Sequence, residues 1–133
     1  MARILLVEDN PLNAKLAALI LRSSGYSVVA AAEAQEAFQV LGQERPDLIL
    51  MDLGLPGMDG YALTRELRRH PATKHIPILA VTSFAMKGDE IKAREVGCDG
   101  YLTKPINRLQ LLQEVRRLLH EPEPARGPGP AQG

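Results

Sequence analysis

The feature that most constrains this chain is a five-fold alternation of short apolar runs with segments of helical period. Repeated βα units wound around a parallel sheet produce such a pattern. The runs fall at residues 4–7, 27–30, 48–51, 78–81 and 100–103. The second is weak. The third, Leu48-Ile49-Leu50-Met51, is apolar throughout, which suits a central strand covered on both faces.

The intervening segments carry helix punctuation. Asn10 reads as a cap with Pro11 at the first helical position, after which Leu12, Leu16, Leu19 and Ile20 recur at the spacing of a first helix ended by Gly25. A second helix over 34–41 stops at Gly42, a third is capped by Asp59 and runs to about Arg69, and a fourth spans 87–96 and closes on Gly97. The last follows Pro105 and Asn107, with Leu111, Leu112, Val115, Leu118 and Leu119 as one apolar stripe.

A chain of 133 residues that is 45% hydrophobic can bury one good core, so one domain is expected over 1–120. Residues 121–133, rich in Pro and Gly, read as a disordered tail or the stump of a linker. Lys plus Arg equals Asp plus Glu at 16 each, and the cations are scattered, which argues against nucleic-acid binding. The single cysteine, Cys98, forms no internal disulfide and reads as a small buried residue. Acids arrive too soon for a signal peptide, and no apolar stretch approaches membrane-spanning length, so a cytoplasmic protein without membrane insertion is expected.

In an open parallel sheet the ligand site lies beyond the carboxyl ends of the strands. Here the first run exits into Glu8 and Asp9, the third into Asp52, the fourth into Thr82 and Ser83, and the fifth into Lys104. If the sheet places those four strands side by side, three carboxylates, a hydroxyl and an ammonium converge. Carboxylates so close repel and need a cation. Oxygen donors without His or Cys nearby point to a hard divalent ion, and few protein ligands with room for water suit Mg²⁺ better than Ca²⁺. A phosphoryl group would fit the open positions: Thr82 can donate to one oxygen and Lys104 can pair with another. Asp52, presented by the central strand, is the candidate nucleophile.

The segments VEDN, LILMDLGLPGMDG, AVTS and YLTKP resemble the receiver domain of two-component response regulators. The stretches VEDNPLNAKL and VTSFAMKGDE are especially similar to stand-alone single-domain regulators of the DivK type. The resemblance covers residues 2 to about 120 and implies a flavodoxin-like (βα)5 doubly wound parallel sheet of strand order 2-1-3-4-5. It further implies that Asp52 is the phosphoacceptor, receiving a phosphoryl group from a histidine of a sensor kinase or a phosphotransfer protein. Asp9 would hold Mg²⁺ directly, Glu8 directly or through water, and the Gly54 carbonyl would complete the protein ligands. Thr82 and Tyr101 would form the switch, read by a downstream protein target on the face of the fourth helix, fifth strand and fifth helix. Phe84, Ala85, Met86, Lys87 and Ile91 add apolar and basic material beside that face. The Lys104-Pro105 peptide would be cis, and Gly54 and Phe84 would tune phosphate lifetime in opposite directions.

Taken singly these residues are weak signals: Asp52 alone could be a cap, and Glu8 and Asp9 a solvated loop. Asp59 reads as a cap, Asp47 and Asp99 as ordinary surface acids, and His70, His75 and His120 as surface residues. Three other functions compete. A phosphohydrolase of the haloacid dehalogenase type would have a second acid two residues after the nucleophile, where this chain has Gly54. A flavodoxin-like cofactor binder would want a glycine- and hydroxyl-rich loop where Glu8 and Asp9 stand. The third is a receiver-shaped interaction module that never accepts phosphate.

Overall fold

A computed structural model of the chain describes residues 2–55, 57–83 and 88–121. Strands β1 (Arg3–Val7), β2 (Ser27–Ala31), β3 (Leu48–Asp52), β4 (Ile78–Thr82) and β5 (Gly100–Thr103) alternate with helices α1 (Pro11–Ser23), α2 (Ala34–Gln43), α3 (Gly60–Arg69), α4 (Asp89–Val96) and α5 (Arg108–Leu119). All strand pairings are parallel and the order is β2-β1-β3-β4-β5. This is the doubly wound flavodoxin-like sheet that the alternation and the family resemblance implied. As expected of an all-apolar run, β3 lies in the middle, buried at every position, whereas β2 and β5 are edge strands with exposed residues.

Because successive strand side chains point to opposite faces, each strand feeds two cores. Leu5, Val7, Ile49, Met51, Ile78 and Ala80 pack with Ala37, Leu41, Leu63, Leu67 and Ala93 from α2, α3 and α4. Ile4, Leu6, Leu48, Leu50, Leu79 and Val81 pack with Ala17, Ile20 and Leu21 of α1 and with Leu111 and Val115 of α5.

Three local expectations are corrected. On α1 only Ile20 of the four residues recurring at helical spacing is buried; Leu12, Leu16 and Leu19 are 75%, 46% and 65% exposed. Ala17, Ala18 and Leu21 face the sheet instead. Both stripes follow helical spacing, and the alanine-rich one wins because small side chains let the helix axis come closer to the sheet. Second, Gly42 lies inside the last turn of α2, which ends with Glu44 as its C-cap. Third, α4 begins at Asp89 behind a left-handed Gly88, so Gly88 supplies the turn instead of helix. The caps at Asn10 and Asp59 each accept a backbone N–H, as read from the sequence, and Asn107 does the same at the start of α5. Residues 122–133, including most of the expected tail, lie outside the described residues, as do Phe84, Ala85, Met86 and Lys87.

Asp99 is not an ordinary surface acid. Its carboxylate accepts from the Ile78 amide at 2.9 Å and from Arg68 at 2.8 Å. Arg68 also donates to the carbonyls of Lys74, Ile76 and Gly97, and so ties α3 to the loop before β4 and the turn before β5. Asp47, likewise, accepts from the Arg3 amide at 2.8 Å and fixes the start of β1. Replacing Arg68 by Met would leave several carbonyls and a carboxylate without their donor. A loss of about 2 kcal/mol is expected in urea unfolding, with Asp99→Asn losing less. An unchanged midpoint for Arg68→Met would show that the clamp does not stabilise the fold.

The Tyr26 hydroxyl donates to Glu121 at 2.6 Å, joining the start of β2 to the end of α5. Burial, reinforced by that carboxylate, pushes the phenol up from 10.0 to about 12. A raised folded pKa keeps its stabilisation intact below the unfolded value of 10.0 and loses it as pH rises toward about 12. In an ultraviolet titration Tyr26 should therefore be the last tyrosine to ionise, and Glu121→Gln should bring that ionisation down.

Candidate functional site

The register of the sheet decides which side chains meet. Met51 of β3 pairs with Val7 of β1 and Ala80 of β4, and Ala80 pairs with Tyr101 of β5. The residues after these paired positions therefore emerge together at the carboxyl edge: Glu8, Asp52, Thr82 and, from the loop after β5, Lys104. Glu8 and Asp52 are buried acids, whereas Asp9 is exposed. One carboxylate oxygen from each of Glu8, Asp9 and Asp52 lies within 4.8 Å of the others.

Each group is held by the backbone around it. The Glu8 amide donates to the Ala31 carbonyl, and the Glu8 carboxylate accepts from the Asn10 amide at 3.1 Å. Asp52 Oδ1 accepts from the Gly54 amide at 2.9 Å. The Lys104 amide donates to the Thr82 carbonyl, and the Lys104-Pro105 peptide is cis. From there Lys104 Nζ reaches Glu8 Oε1 at 2.6 Å and Asp52 Oδ2 at 3.3 Å. Thr82 ends β4 as a buried hydroxyl residue beside this group.

The electrostatics follow from burial against charge. Burial raises the Glu8 carboxyl above its ordinary value, and neighbouring Asp52 adds to the rise, while Lys104 and the Asn10 amide oppose it. Burial pulls the Lys104 ammonium toward neutrality, but its bond to Glu8 and the charges of Asp52 and Glu8 outweigh that and hold it above its ordinary value. Three carboxylates against one ammonium leave the edge negatively charged.

A sequence profile described as the response regulator receiver domain matches residues 4–116. The chain belongs to that family. The DivK polar-differentiation response regulator of Brucella anthropi is 40% identical over 116 residues, covering 87% of this chain and 94% of that protein. Among solved structures, the receiver domain of the sensor histidine kinase PA1611 from Pseudomonas aeruginosa, which carries a magnesium ion in its active-site cleft, is 39% identical. Its TM-score is 0.82, and the match covers 90% of this chain and 98% of that one. The chemotaxis response regulator CheY4 of Vibrio cholerae is 30% identical with a TM-score of 0.83, over 89% of this chain and 98% of that one. As a receiver domain, the protein acts in two-component phosphorelay signalling.

The receiver's acidic edge suits a hard divalent cation on its own chemistry. Its donors are carboxylate oxygens, converging with negative charge to spare, and no imidazole or thiol belongs to the cluster. Glu8, Asp9 and Asp52 would hold such an ion, which would supply the positive charge that Lys104 alone does not.

Other predicted residues stand apart from this edge. Tyr101 is half-buried on β5, packed against the core beneath α3 and α4. Ile91 is 67% exposed on α4. His70, His75 and His120 are exposed, and Cys98 is buried with its sulfur 3.8 Å from the Thr64 hydroxyl.

Sequence reading missed Gly60. A Cβ there would lie 2.6 Å from both the Asp52 carbonyl oxygen and Leu53 Cα, so only glycine lets the first turn of α3 sit against the backbone carrying Asp52. The Asp59-Gly60 pair was legible as a helix start, but the contact with Asp52 is not local.

Without divalent cation, the balance at this edge predicts opposite effects on stability at neutral pH. Lys104→Met leaves the acids without their ammonium and should lower stability by about 2 kcal/mol, whereas Asp52→Asn relieves repulsion and should raise it. Urea midpoints at low salt measure both, and equal midpoints for the two variants would contradict the charge balance described.

Proposed function

We propose that this receiver is a phosphorylation-dependent switch in which Asp52 accepts a phosphoryl group from a phosphohistidine of a sensor histidine kinase or phosphotransfer protein. A carboxylate oxygen of Asp52 forms the new P–O bond, the P–N bond to the donor imidazole breaks, and the imidazole leaves with the bonding pair and takes up a proton. The observation that carries this reading is the convergence of Glu8, Asp9 and Asp52 within 4.8 Å, with Lys104 Nζ bridging two of them. It is an edge built to gather cation and anion together.

Mg²⁺, held by Glu8, Asp9 and Asp52 with the Gly54 carbonyl, would supply charge for an incoming phosphoryl group. Lys104 pairs with one phosphoryl oxygen, and the Thr82 hydroxyl and backbone amides donate to others. Phosphorylation adds about one negative charge and new acceptor oxygens at Asp52. Thr82 is drawn toward them, Tyr101 turns further inward, and the face of α4, β5 and α5 changes for a downstream protein target. The donor has a surface beside the site: Leu12, Leu16 and Leu19 form an exposed apolar ridge on α1, which starts two residues after Asp9. Residues 1–120 act as the domain, in the cytoplasm, with 121–133 as tail or linker. The chain assists its own phosphorylation and slow dephosphorylation but turns over no external substrate. Gly54, where a phosphohydrolase of the haloacid dehalogenase type would carry its second acid, weighs against that alternative.

The test is incubation with Mg²⁺ and acetyl phosphate, or with beryllofluoride as the phosphoryl mimic. A saturating spectroscopic change and a stoichiometric phosphoryl adduct are expected, both abolished by Asp52→Asn. Continuous phosphate release from many esters would instead establish a hydrolase, and no response to either reagent would leave a non-phosphorylated interaction module.

A further inference from the structure

Helix α4 is held by little apolar burial. Ala93 is its one buried residue among those described, Val96 is partly buried, and Ile91 is 67% exposed. Its N-cap, Gly88, has no side chain to cap with, and its carbonyl accepts the Lys92 amide. At its C-terminal end polar bonds hold it: Arg68 of α3 donates twice to the carbonyl of its C-cap Gly97, and Arg94 donates to the Asp99 carbonyl. In the body of the helix the Lys92 ammonium lies 4.2 Å from the centroid of the Tyr61 ring, a second tie from α4 to α3. Tyr61 is no ordinary α3 residue, because it directly follows Gly60, whose amide donates to the Leu53 carbonyl and where a Cβ would collide with the Asp52 backbone.

The same ring belongs to the group around β5. Tyr61 and Tyr101 both pack against the core on that face. Burial raises both phenols above their ordinary value, and the carboxylate of Asp89, in the first turn of α4, adds to the rise in each.

We propose that Tyr61 and Lys92 form a latch that holds α4 in place over β5 and links the position of α4 to the backbone of Asp52 through the first turn of α3. The latch stands on geometry, while its regulatory use rests on the reading of Asp52 as phosphoacceptor. It is a route from the phosphoacceptor to α4 separate from Thr82. A ligand at Asp52 that favours a displaced α4 must work against the latch, so weakening the latch tightens binding of that ligand by the same factor that it loosens the helix.

The experiment compares amide hydrogen exchange of α4, without divalent cation or phosphodonor, in the wild type and in Lys92→Met, Tyr61→Leu, Lys92→Arg and Tyr61→Phe. Lys92→Met and Tyr61→Leu should exchange α4 amides about threefold faster, with α1 amides unchanged as an internal control. Lys92→Arg and Tyr61→Phe, which keep a cation over a ring, should stay near wild type. With Mg²⁺, Lys92→Met should bind beryllofluoride about threefold more tightly. Unchanged α4 exchange in Lys92→Met and Tyr61→Leu overturns the latch. Faster exchange with unaltered beryllofluoride affinity overturns its link to Asp52. A wild type that never binds beryllofluoride sinks the phosphoacceptor reading and the regulatory use with it, while the exchange comparison still decides the latch.

Discussion

Two acids buried at the end of a parallel sheet can stay charged only if something positive stands between them, and in this receiver that is Lys104. Its ammonium touches Glu8 and Asp52 at once. The contact requires a lysine delivered from the loop after β5 and acids delivered by β1 and β3, so it exists only when those strands are in register. Asp9, at the same edge but exposed, adds the charge that one ammonium does not neutralise. A site in that condition suits a divalent cation, and on the proposed reading an anion bridged to it.

The two cores explain why such a group is tolerated. β3 is buried on both faces and sits between β1 and β4, so the strand carrying Asp52 is paired on both edges and covered on both sides. Packing at its end is close as well: α3 approaches until only a glycine fits at position 60. The helix farther along, α4, has one buried side chain and is joined to α3 by the Lys92–Tyr61 contact and by Arg68 at its C-cap. Firm placement at the acceptor with a thinly buried helix nearby is the distribution expected of a conformational switch.

Much of this was legible in the residues themselves. The βα alternation, the central position of β3 and the caps at Asn10 and Asp59 follow from local period and local hydrogen bonding, and they hold in the structure. The acids, Thr82 and Lys104 were legible because each stands just where an apolar run ends. Less legible was the packed face of α1, since leucine and alanine stripes have the same period and only the closeness of the sheet distinguishes them. Asp99 and Arg68 were missed for a related reason: Asp99 accepts from the amide of Ile78, 21 positions away, and Arg68 reaches the Gly97 carbonyl, 29 positions away, and Asp99 itself.

By itself, then, the order of residues determined the kind of each element, the strand that lies innermost and the chemical groups offered at the strand ends. These are local properties, governed by side-chain period and by which residues can start or stop a helix. The side-by-side order of β1, β3, β4 and β5 was implied by the family resemblance and holds, whereas tertiary structure alone decided that Lys104 reaches both acids, which face of α1 is buried, and that Gly60 meets the backbone of Asp52. Those outcomes depend on how whole faces pack against one another across the sheet, and the separation along the chain carries no trace of it.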